Sequence, residues 1–209
     1  DATRAYVATR QQIKRLNTQT GEVRDIIDTR QQDIVMGKIT ALAQDEQGQL
    51  WVGTRQGVIL VKPASTQTQK ENNAQVVAAL GNAYVSDILV QPNGEVWFAC
   101  RQGLMVYDPI SKIVVQHKTF NESAFQMDKR RLSRLIQDRH GATWVGTSGA
   151  GLNLYVPPAS RVKQLDDRST KPFGLINNDV WAIHEDDKAY IVATNAGVQF
   201  YDKKNNKSV

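Results

Sequence analysis

ITALAQDEQGQLWVGTRQGVILVKP, residues 39–63, is a phrase with four parts. An apolar run ends at Asp45-x-x-Gly48. A Trp-containing run ends in Gly53-Thr54. A short turn closes on Gly57, and a second apolar run follows it. The phrase returns as VSDILVQPNGEVWFACRQGLMVYDP at 85–109 and LSRLIQDRHGATWVGTSGAGLNLYVP at 132–157. A further copy is VWAIHEDDKAYIVATNAGVQFYD at 180–202, and AYVATRQQIKRLN at 5–17 enters partway through another. Thr9, Thr54, Cys100, Thr147 and Thr194 end the second run of each copy, at intervals of 45, 46, 47 and 47 residues. Several short strands repeating at that period are the signature of a β-propeller blade.

The local chemistry agrees. A turn is expected at Asp45–Gly48, Gln91–Gly94, Asp138–Gly141 and Glu185–Lys188. An acid or amide opens such a turn by accepting backbone hydrogen bonds, and glycine closes it in a left-handed conformation. Lys188 breaks the pattern and predicts a differently shaped turn. Runs rich in Val, Ile, Leu, Tyr and Trp lie between the turns and read as strands. No stretch keeps a helical period over eleven residues; 121–136 comes nearest. The fold class is therefore all-β: four-stranded antiparallel blades, part of a propeller. First strands are expected at 39–45, 85–91, 132–138 and 180–185, and fourth strands at 22–28, 74–80, 112–117 and 161–165. The chain divides into a partial blade at 1–38, blades at 39–84, 85–131 and 132–179, and a partial blade at 180–209 that carries the first three strands. Trp51, Trp97 and Trp144 share one column, which reads as core between sheets, and Tyr6 and Ile191 take its place in the outer copies.

The 209 residues carry a formal net charge of +5, too modest and too scattered for a nucleic-acid surface; the DKRRLSR cluster at 128–134 reads as a solvated loop. There is no apolar run long enough for a membrane-spanning helix. Cys100, the one cysteine, replaces Thr in a strand column and reads as a buried structural thiol. His117, His140 and His184 stand alone, without metal-ligand spacing. GTSGAG at 146–151 is one of the equivalent hairpins, not a phosphate loop. No catalytic residue, metal site or cofactor is expected.

The inner run followed by Asp-x-x-Gly-x-x-Trp-Val-Gly-Thr, with LINNDVWAIHEDD at 175–187 as its lead-in, resembles the two-component regulator propeller repeat. The resemblance implies an extracytoplasmic, ligand-binding sensor region, on the periplasmic side of the inner membrane. The bacterial receptor carrying it would have a hybrid histidine kinase or diguanylate cyclase as output, and this chain would be the non-catalytic part. Propeller lyases or hydrolases and plain interaction scaffolds are alternatives. Family rings hold about seven blades. The chain starts inside a repeat, so it is expected to be an excised part of a larger ring, to pair with a second copy through open blade edges, or to close as five sheets.

The expected binding face is the end where second-to-third hairpins and outer-to-inner connections (29–38, 118–131 and 166–179) meet. Arg10, Arg55 and Arg101 occupy one hairpin position in three successive copies, and Ser148 and Asn195 follow in the next two. Asn177 and Asn178 lie in the last connection, Asn121 in the one before. An arc of arginines suits an anionic small molecule, a saccharide or other carboxylate ligand. The plainer reading is a tolerated hairpin tip duplicated with the repeat.

Overall fold

In the computed structural model the chain forms five antiparallel sheets in succession. The structure describes residues 3–28, 30, 37–62, 74–77, 80–116, 131–156, 161–168, 174–204 and 207–208. The first sheet has three strands, β1 (Arg4–Ala8), β2 (Gln12–Asn17) and β3 (Val23–Asp28). The second is β4 (Ile39–Gln44), β5 (Leu50–Thr54), β6 (Gly57–Val61) and β7 (Ala74–Val76). The third is β8 (Val85–Val90), β9 (Val96–Cys100), β10 (Gly103–Asp108) and β11 (Ile113–Gln116). The fourth is β12 (Leu132–Gln137), β13 (Thr143–Thr147), β14 (Leu152–Val156) and β15 (Arg161–Leu165). The fifth is β16 (Val180–Glu185), β17 (Ala189–Thr194), β18 (Gly197–Asp202) and β19 (Lys207–Ser208). Each sheet pairs its strands in chain order. No helix among the described residues is long and apolar enough to cross a membrane.

Two expectations change. The last copy carries a fourth strand, β19, where three were expected. Its turn is also one residue shorter than the others, and Glu185 belongs to the strand before it. Gln44 pairs with Leu50 across five intervening residues, whereas Glu185 pairs with Tyr190 across four. Asp186 accepts from the amides of Lys188 and Ala189, so a tight turn forms without a glycine.

Four apolar clusters fill the four seams between successive sheets. Ile13, Val52 and Ile59 pack between the first two sheets, and Trp51, Val85 and Phe98 between the next two. Trp97 with Leu132 and Trp144 with Val180 fill the remaining seams. The tryptophan column is thus core: Trp51, Trp97 and Trp144 are all buried. Each ring meets an aromatic of the following sheet, Trp51 on Tyr107 at 5.0 Å, Trp97 on Tyr155 at 5.3 Å and Trp144 on Tyr190 at 4.7 Å. A buried indole N–H needs an acceptor. Trp51 donates to Asp45 (2.9 Å) and Trp144 to Asp138 (3.0 Å), the acids that open the turns. In the third sheet Gln91 stands there instead, and Trp97 donates to Glu95. Burial pushes the Asp138 carboxyl upward. Bonds from Trp144, Tyr190 and two backbone amides outweigh it and hold the group below the usual range.

The inner strands β4, β8, β12 and β16 carry successive sheets against one another. Each bulges at the same place, at Thr40, Ser86, Ser133 and Trp181. The extra residue frees a side chain at the seam. The Thr40 hydroxyl donates to the Val85 carbonyl of the next sheet, and Ser133 donates to Val180 at 2.6 Å. Asp87 bonds across another seam, accepting from the Leu135 amide at 2.9 Å; burial raises its pKa.

Among the described residues no further sheet packs on the fifth. Val58, Leu104 and Leu152 are buried, while their counterpart Val198 is 57 % exposed and Trp181 is 61 % exposed. The five sheets therefore form consecutive blades, and among the described residues the outer face of the fifth stays uncovered.

One seam position records its neighbour's shape. A Cβ on Gly53 would sit 2.9 Å from Val85 Cγ1, and one on Gly146 2.9 Å from Val180 Cγ1. Where the next sheet offers Leu132, branched one carbon later, the position holds Ala99. Gly53→Ala is expected to cost about 1–3 kcal/mol through overpacking. Val85→Leu in the same chain should recover part of that loss, as a urea-denaturation cycle would show.

Candidate functional site

The hairpins that follow the tryptophan strands gather at one end of the sheets. Four of the five are closed by the threonine before them. Thr54 donates to the Gly57 carbonyl (2.9 Å) and accepts from the Gln56 amide (3.0 Å). Thr147 and Thr194 bond Gly151 and Gly197 in the same way, and Thr9 bonds Gln12. Cys100 fills this column in the third sheet. Its thiol is buried, and burial pushes the pKa up to about 12, so it is an inert part of the seam.

The residue after each staple is tied to the start of its own inner strand. Arg55 N–H donates to the Lys38 carbonyl, Arg101 N–H to Tyr84, Ser148 N–H to Arg131 and Asn195 N–H to Asp179, all between 2.9 and 3.1 Å. The first sheet lacks that strand. Instead, the Arg10 carbonyl accepts from the Ile39 amide of the second sheet. These ties build a rim from two columns, the hairpin tips and the residues that precede the inner strands.

The rim changes character along the sheets. Arg55 and Arg101 come together over one ring: their guanidinium carbons lie 5.9 and 4.4 Å from the centroid of Tyr84. Arg10 is exposed, and no contact among the described residues joins it to that pair. Arg10, Lys38, Arg55, Arg101 and Arg131 have no carboxylate partner among the described residues. Elsewhere Lys14 pairs with Asp25, Arg30 with Asp28, Arg139 with Glu185 and Asp187, and Lys203 with Glu185. Toward the fifth sheet the rim is acid and amide. Ser148 and Asn195 both reach Asp179, each at 3.4 Å.

Asn177 and Asn178 shape the connection they sit in. Asn177 accepts from the Asp179 amide. Asn178 accepts from Asp167 through its side chain and from Gly149 and Gly151 through its carbonyl. Asn121 and His117 lie outside the described residues. His184 and His140 are exposed, on β16 and on a turn at the opposite end. Among the described residues no group of three or more His, Cys, Asp or Glu could hold a metal ion.

Arg10, Arg55 and Arg101 stand out in the sequence as a repeated residue type, whereas Tyr84, Lys38, Arg131 and Asp179 do not. Their signal was available. They stand one residue before each inner strand at the repeat's own spacing.

Comparison with known proteins bears on the fold and on one repeat. Residues 33–56 match the family model described as two component regulator propeller. No curated protein matches the chain. Among solved structures, the chain is similar to the extracellular domain described as that of a hybrid two component system from B. thetaiotaomicron. The TM-score is 0.72 at 19% identity, covering 95% of this chain and 26% of that one. It is also similar to virginiamycin B lyase from Staphylococcus aureus (TM-score 0.67, 11% identity, 96% of this chain and 62% of that one). A third likeness is an auxiliary nutrient binding protein from Bacteroides thetaiotaomicron (TM-score 0.66, 9% identity, 100% of this chain and 54% of that one). The chain thus spans about a quarter of the length of the first of these. At such identities the likeness speaks for the fold, a β-propeller.

Proposed function

We propose that this chain is a non-catalytic, ligand-binding segment of a sensor propeller on the periplasmic side of a bacterial inner membrane. The protein that carries it would pass ligand occupancy to an output module such as a hybrid histidine kinase or diguanylate cyclase. The repeat at 33–56 and the likeness to an extracellular two-component domain support the sensor class. The observation that carries ligand binding is the rim itself: five cations without a described carboxylate partner, at the end where every hairpin tip and inner-strand start converge. An anionic small molecule, a saccharide acid or another carboxylate, is the chemistry such a rim recognises. The uncovered face of the fifth sheet extends the proposal to pairing between copies of the chain, which sedimentation at rising concentration reads.

The test is a thermal-shift panel of anionic and neutral saccharides, with the ligand recovered and weighed by mass spectrometry. A ligand that binds only the folded state raises the melting temperature by mass action. Anionic members are expected to raise it, less so in high salt, and to be recovered intact. Conversion of the ligand would instead favour the lyase class. A shift by neutral sugars alone would remove the anion reading.

A further inference from the structure

Resting on the reading that the hairpin end holds the ligand, we propose that Arg55, Tyr84 and Arg101 form one clamp for a small molecule bearing two carboxylate or sulfate groups. Tyr84 is the fixed element. It is half-buried immediately before β8, and its carbonyl takes the Arg101 amide, so ring and hairpin tip are tied together. Arg101 lies on the ring at 4.4 Å, and Arg55 reaches the same ring from the preceding sheet at 5.9 Å. A cation over an aromatic face is held by the ring's quadrupole, and among the described residues neither guanidinium has a hydrogen-bond or carboxylate partner. Both forks are therefore available for two-point contact with an oxyanion.

The shared ring also sets the spacing. The two guanidinium carbons cannot be farther apart than the sum of their distances to one centroid. That limit is about the screening length of ~10 Å at 0.1 M salt, so the two charges feel each other. Neither is neutralised by a described carboxylate. A monoanion satisfies one fork and leaves the second cation bare. A dianion satisfies both, and its second contact forms intramolecularly, at the high effective concentration of a short linker. The arrangement thus selects for a pair of charges on one small molecule. Lys38 and Arg131 take the equivalent place in the neighbouring sheets, through the same backbone ties.

The test is titration calorimetry of the 209-residue chain with succinate, adipate and suberate against hexanoate, octanoate and inorganic sulfate. One dicarboxylate is expected to bind at least about tenfold more tightly than its monocarboxylate counterpart. The preference should fall as salt rises, and should be lost in both Arg55→Gln and Arg101→Gln. Tyr84→Phe should keep it, because the ring face remains, and Tyr84→Leu should lose it while strand content and melting temperature stay near those of the parent chain. Equal affinity for mono- and dicarboxylates would overturn the clamp while leaving an anion-binding rim. A preference that survives Arg55→Gln would also overturn it. Absence of any anion binding would remove the clamp and the anionic reading of the rim together.

Discussion

Trp51→Ala is expected to lower the unfolding free energy by about 3–5 kcal/mol, the range for removing a large buried aromatic. The ring is 2 % exposed and fills the seam between the second and third sheets. It meets Phe98 at 5.8 Å and Tyr107 at 5.0 Å, and its N–H holds Asp45 at 2.9 Å. The substitution opens a cavity between two packed sheets and removes a donor from a turn acid. Trp181→Ala is the control. Trp181 lies on the uncovered side of the last sheet, and its loss should change stability by no more than about 0.5 kcal/mol. The two midpoints in urea, read at equal slope, make the comparison. Equal effects would contradict the assignment of the tryptophan column to the seams.

Gly151→Ala should be nearly as damaging, for a different reason. Gly151 has φ +74°, a conformation that costs a side-chain-bearing residue about 1–2 kcal/mol. A Cβ there would also lie 2.2 Å from the Leu165 carbonyl oxygen, which is backbone and cannot rotate away. Relieving that clash means shifting β15 or the hairpin, at a further cost of about 1–3 kcal/mol. The combined loss is about 2–5 kcal/mol. Gly141→Ala separates the two causes. Its φ is +82° but nothing lies within 4 Å of the added carbon, so only the backbone cost of about 1–2 kcal/mol remains. The Gly151 change should also blur the rim, because Gly151 N–H binds the Asn178 carbonyl beside Asp179.

Most of the fold was legible because the repeat states it several times. The Asp-x-x-Gly turns, the threonine staples and the tryptophan column each recur, and independent copies of a weak local signal reinforce one another. The first strands expected at 39–45 and 85–91 are β4 and β8 with one terminal residue fewer. Illegible features were those in which one copy departs from the rest. The last turn closes without glycine because Asp186 supplies the acceptors for two amides, and a motif search sees only that glycine is missing. β19 was missed because its two residues, Lys207 and Ser208, carry no apolar pattern.

The site was half legible for the same reason. Arg10, Arg55 and Arg101 stand out as a repeated residue type. Tyr84 does not, because its counterparts Lys38, Arg131 and Asp179 share no chemistry with it. What unites them is a backbone bond to the hairpin tip, visible only once the sheets are folded. Asn177 and Asn178 stood out for composition, whereas their bonds within the connection shape it around Asp179.

Amide chemical-shift mapping of the chain during titration with the tightest dicarboxylate locates the bound anion. Shifts are expected to concentrate at Arg55, Tyr84 and Arg101 and to fade toward Ser148 and Asn195. Shifts centred on the opposite turns, at Gly48, Gly94 and Gly141, would contradict the clamp.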